Sequence, residues 1–73
     1  MKTFTDARGR RWVVDWASPE IRGLVTMRQI VFRPANGNRA RPRYLSVHPK
    51  FLERADDEIL RAALEQAQEL DPP

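Results

Sequence analysis

Four guanidinium groups crowd one short stretch of the chain, Arg33, Arg39, Arg41 and Arg43, on either side of an Asn36-Gly37 pair whose residues both tolerate positive φ. Guanidinium meets phosphate as a planar, bidentate donor, and the amides of Asn36 and Asn38 add neutral donors and acceptors beside it. The chemistry on offer is capture of an anionic surface, with Arg28 as a further cation and Tyr44 as an exposed aromatic face. If residues 39–43 are extended, Arg39, Arg41 and Arg43 share one face at intervals of roughly 6–7 Å, close to the per-strand phosphate spacing of nucleic acids. Arginines beside a turn also serve solubility and edge protection. Eleven arginines against two lysines are equally what a coding sequence rich in G and C produces.

Other chemistry finds little support. His48 is the single histidine and has no serine, cysteine or carboxylate partner in the pattern, so a local role beside Pro49 is expected. Asp56, Asp57 and Glu58 are consecutive, and capping of a helix explains them. Three glycines, at 9, 23 and 37, make no phosphate-binding loop. With no cysteine there is neither a disulfide framework nor a thiolate metal site, which fits a reducing cytoplasm. The expectation is a protein that is not an enzyme and carries no cofactor or metal.

Charge is divided along the chain. Residues 1–52 carry eleven Lys/Arg against three Asp/Glu, and residues 53–73 carry two against seven. A basic region followed by an acidic one points to nucleic acid, or to an acidic protein surface, as partner. The first twenty residues are interrupted by Asp6, Arg8, Gly9, Arg10 and Arg11, so neither a signal peptide nor a membrane span is expected, and the cytoplasm is the expected location.

The elements that must position these groups follow from periodicity. Thr3-Phe4-Thr5 reads as a short strand, Asp6 to Gly9 as a turn, and Arg10 to Trp16 as a longer strand with Trp12, Val14 and Trp16 pointing inward. Residues 17–23 connect to a strand from Leu24 to Arg33, half apolar on both faces as in a central strand or one carrying a bulge, of which the central place is favoured. A tight two-residue turn at Asn36-Gly37 would put Pro42 at a hydrogen-bonded site opposite Val31. A loop of residues 36–39 instead sets Leu45 opposite Ile30 and Tyr44 opposite Val31, joining apolar partners. That third strand ends at His48-Pro49, and Phe51-Leu52 lead a short turn onward.

Asp56 or Asp57 caps a helix expected to run to about Leu70, before Pro72-Pro73. Ile59, Leu60, Ala63, Leu64, Ala67 and Leu70 form its apolar stripe, and Asp57, Arg61 and Glu65 stand four apart on the solvent side, where they can pair. The chain is thus read as one small α+β domain over 1–73, with a basic β-rich part over 1–48 and an acidic amphipathic helix over 55–70. Its expected order is β-β-β-α: a three-stranded antiparallel sheet, four-stranded if the N-terminal segment joins it, packed on one C-terminal helix.

Phe4-Thr5-Asp6, Gly9 and Trp12, then Phe32 before a glycine turn and arginines, and finally Asp56-Asp57-Glu58-Ile59-Leu60 opening a terminal helix resemble a pattern of small uncharacterised bacterial proteins. The resemblance spans nearly the whole chain and implies the β-β-β-α order. It implies no activity or ligand. The functional expectation therefore rests on the residues: a non-catalytic module that docks an anionic macromolecule, nucleic acid foremost, through Arg28, Arg33, Asn36, Asn38, Arg39, Arg41, Arg43 and Tyr44. The alternative is a protein-interaction module, either a homodimer or a small adaptor or inhibitor that grips an acidic partner, with an edge strand available for pairing.

Overall fold

The computed structural model of the chain describes residues 1–17 and 27–69. Among these, four antiparallel strands, β1 (Lys2–Thr5), β2 (Arg11–Trp16), β3 (Arg28–Pro34) and β4 (Arg43–Val47), lie side by side in chain order. A one-turn helix α1 (Phe51–Arg54) and a longer helix α2 (Asp57–Gln66) follow. The N-terminal segment is a full member of the sheet, because all four of its residues pair with β2, from Lys2 opposite Val14 to Thr5 opposite Arg11. The expected connection over 17–23 and the first three residues of the expected strand from Leu24 lie largely outside the described residues.

Alternation decides which face is covered. Phe4, Trp12, Val14, Ile30, Phe32 and Val47 point to the helix side and are buried with Leu52, Ala55, Leu60, Ala63, Leu64 and Ala67 in one core. Trp12, Ile30 and Phe32 are fully buried, and Phe4 meets Phe32 edge-on with ring centroids 5.9 Å apart. Val31 is buried as well, on the opposite face, between Asp15 and Tyr44 of the neighbouring strands. Burial of both faces accounts for the apolar character of β3 and its central place. Trp16 packs at the margin of the core, with the Arg28 guanidinium stacked 3.9 Å from its ring centroid.

The β3–β4 register sets Leu45 opposite Ile30 and Tyr44 opposite Val31, as the apolar matching of the two strands requires. The ladder stops at Phe32 opposite Arg43, so β4 begins at Arg43 and residues 35–42 form the connection. Pro42, which has no N–H for a ladder, lies just outside the strand.

The helix is shorter than its apolar stripe suggests. Asp56 caps it, its carboxylate accepting from the Ile59 N–H at 2.9 Å, with Asp57 and Glu58 in the first turn. It ends at Gln66. Ala67 turns extended, and Gln68 pairs with Tyr44 through reciprocal backbone hydrogen bonds of 2.8 and 3.0 Å. The pairing satisfies edge groups of β4 that a continued helix would leave open. Leu60, Ala63, Leu64 and Ala67 are buried as the stripe predicts, whereas Ile59 is 44% exposed and Leu70 lies outside the described residues. Arg61 does not pair with Asp57 or Glu65; its Nε donates to the Thr5 carbonyl at 2.7 Å and ties α2 to β1. Lys2 likewise donates to the Ala55 carbonyl at 2.9 Å, closing the end of α1.

Candidate nucleic-acid interface

In an up-and-down meander the β1–β2 turn and the β3–β4 connection emerge at the same end of the sheet. Each is shaped by its own sequence. Asp6 accepts from the backbone N–H groups of Arg8 and Arg10, and Gly9 closes the turn at φ 81°. In the second, Asn36 (φ 50°) and Gly37 (φ 86°) occupy the two central positions of a turn closed by Asn38 N–H to the Ala35 carbonyl at 3.1 Å. Positive φ at both positions is the type I′ signature, which explains the Asn-Gly pair. No heavy atom would obstruct a Cβ at Gly37, so the constraint there is conformational. Gly37→Ala is expected to cost about 1–2 kcal/mol and Gly37→Asn less, read from urea denaturation midpoints.

The Asn36-Gly37 turn leans on β2 and does not join β3 directly to β4. The Ala35 N–H and the Asn38 side-chain amide both donate to the Arg11 carbonyl, at 3.1 and 3.0 Å, while the Asn38 amide oxygen accepts from Ala40 N–H. Asn38 is therefore a positioning residue whose donor and acceptor are both engaged. Between the two turns lies an open cleft of about 580 Å³, lined by Gly9, Arg10 and Arg11 on one side and by residues 36–40 on the other. No Asp or Glu is among its described lining residues.

The expected site residues divide. Arg39 lines the cleft, Asn36 is exposed on the turn, and Arg33 is exposed on the face away from the helices, diagonal to Arg11. Among the described residues Arg11, Arg33 and Arg39 enter no ion pair. Arg41 is exposed in the connection. The shared strand face of Arg39, Arg41 and Arg43 does not form, because only Arg43 belongs to β4.

Arg43 points to the helix side, its guanidinium 5.6 Å from the Trp12 ring centroid and donating to the Leu64 carbonyl at 3.3 Å, so it clamps α2 to the sheet. Tyr44 is half-buried on the other face. Arg28 sits in the first position of β3, the end of that strand opposite the cleft, stacked on Trp16. Trp12 and Phe32 are core residues and offer no platform for a base. His48 has a local role, its Nδ1 accepting from Lys50 N–H at 3.1 Å.

Two contributors were not singled out by the residue pattern, Arg10 and Arg11. The signal was present: adjacent arginines directly after a Gly turn must emerge beside the other turn of a meander. Arg10 is the better anchored. Its Nε donates to Asp6 Oδ2 at 3.0 Å, and the same oxygen accepts from Trp12 Nε1 at 2.9 Å. Burial alone would push the Asp6 carboxyl up. The indole, the N–H groups of Arg10 and Arg8, and the Arg10 guanidinium outweigh it and hold the carboxyl well below the usual carboxylate range.

No helix among the described residues is long and apolar enough to cross a membrane, and no group of three or more His, Asp or Glu among them is placed to hold a metal ion. Comparison with protein-family models, with curated proteins and with solved structures finds no match.

Proposed function

We propose that the protein is a non-catalytic binding module that docks nucleic acid across the basic end of its sheet. The observation that supports this most is the meeting of Arg10 and Arg11 with Arg39 around an open cleft free of described carboxylates, with Arg33 beside it. Affinity comes from phosphate contacts and counterion release, and no base-reading element accompanies them among the described residues. With about four phosphates neutralised on duplex DNA, the log–log salt slope is near −3.6. Titrating short DNA and RNA duplexes across a range of salt concentrations tests this. Absence of binding at low salt removes the proposal.

A second reading, a protein-interaction module, draws on a different surface. Ser46 follows Tyr44 by two residues and so turns its N–H and C=O toward the same open edge of β4, where the only bridge found among the described residues is Tyr44 with Gln68. Alongside runs a shallow groove with Phe51, Ala62 and the exposed Ile59 in its wall. In the homodimer form of this reading, light scattering at high concentration gives twice the monomer mass and Ile59→Asp restores the monomer. A monomer throughout excludes that form.

A further inference from the structure

A second cavity of about 250 Å³ lies on the other side of Arg10, in the seam between the β1–β2 turn and α2. Its described lining includes Arg8, Arg10, Arg43 and Arg61, against the carboxylates of Asp6 and Glu65. The charge there is less balanced than that count suggests. Asp6 is committed to Arg10, to the Trp12 indole and to two backbone N–H groups. Arg43 and Arg61 are held by neutral carbonyls, those of Leu64 and Thr5, so their positions are set and their charge is not cancelled. Each guanidinium has five N–H donors, of which the carbonyl contact uses one. Glu65, exposed and in no ion pair among the described residues, is the remaining anion of the described lining.

We infer that this seam is a binding site for a compact oxyanion, the terminal phosphate dianion of a monoester or of the free ion, seated between Arg43 and Arg61 with Arg8 at its mouth. The cavity is smaller than the roughly 300–1,000 Å³ of pockets for drug-sized ligands, and fixed guanidinium forks suit a tetrahedral dianion. Because Arg10 lines both cavities, the seam adjoins the proposed nucleic-acid cleft, and a strand bearing a terminal phosphate is one source of the ligand. The binding of free phosphate does not depend on that reading.

The test uses the isotopically labelled full chain and sodium phosphate, with sodium chloride at matched ionic strength as the control. Phosphate is expected to shift the Arg43 and Arg61 Nε–H signals and the Trp12 indole signal saturably. Arg8→Ala, which keeps the backbone N–H that Asp6 uses, weakens binding, and Glu65→Gln tightens it, each by about two- to fivefold as rim charges do. Both residues are exposed, so neither variant puts the fold at risk. Equal shifts with chloride, or curves that neither variant moves, overturn the site.

Competition identifies the source. Displacement of phosphate by a 5′-phosphorylated oligonucleotide but not by its 5′-hydroxyl counterpart supports a strand end, and displacement by neither supports the free ion. Equal displacement by both overturns the assignment to a terminal phosphate dianion. Replacing Arg11, Arg33 and Arg39 by Ala leaves phosphate binding unchanged, which separates failure of this site from failure of the nucleic-acid cleft.

Discussion

Asp6→Ala is expected to lower stability by about 3–4 kcal/mol, because it strips a buried carboxylate from two backbone N–H groups, an indole and a guanidinium at once. For 73 residues the total is only roughly 4–11 kcal/mol, so the variant is close to unfolding and its melting temperature drops by about 15 °C or more. Asp6→Asn loses nearly as much, since its NH₂ cannot accept from Trp12 Nε1 or Arg10 Nε.

The pH dependence carries the mechanism. In the folded chain Asp6 resists protonation far below its ordinary value, while in the unfolded chain it takes a proton near pH 4. The unfolded state therefore binds more protons in acid, and the contribution of Asp6 is complete above about pH 5 and shrinks progressively as pH falls below 4. Urea denaturation followed by tryptophan fluorescence should show wild type and Asp6→Asn converging between neutral pH and acid. A gap that stays constant with pH would mean the carboxylate acts only through its shape.

Replacing Arg11, Arg33 and Arg39 together by Ala is expected to flatten the salt dependence of duplex binding from about −3.6 to about −0.9, because three of about four phosphate contacts disappear. Between 50 and 200 mM salt the wild type then weakens by about 150-fold and the variant by only about 3.5-fold. All three residues are exposed and free of ion pairs among the described residues, so the melting temperature should barely move. Arg43→Ala is the informative contrast. It removes a contact with Trp12 and a donor to Leu64, and should lower the melting temperature while leaving the duplex salt slope close to wild type. If Arg43→Ala flattens the slope and the triple variant does not, nucleic acid runs over the helix seam and not through the cleft.

Residues near one another in sequence, or matched by simple alternation, were legible without coordinates. Period two put Trp12 and Val14 inward, the apolar pairs Ile30/Leu45 and Val31/Tyr44 set the register of the last hairpin, and Asp56 announced the helix start. The positive φ values at Asn36 and Gly37 follow from residue type alone. These are short-range consequences of pleat, cap and turn chemistry, and any fold of this chain has to respect them.

Which arginine does what was decided only in three dimensions. Arg43 lies in the same basic run as Arg39, yet one faces the core side and clasps a helix carbonyl while the other borders an open cleft. Arg10 and Arg11 join that cleft from more than twenty residues away because a meander returns its turns to one end of the sheet. The helix stops at Gln66 because the edge of β4 offers Gln68 a backbone partner, a competition that no periodicity within the helix can register. Local propensity and alternation are properties of neighbouring residues. The destination of a long charged side chain depends on which carbonyl, ring or solvent the assembled strands place within its reach.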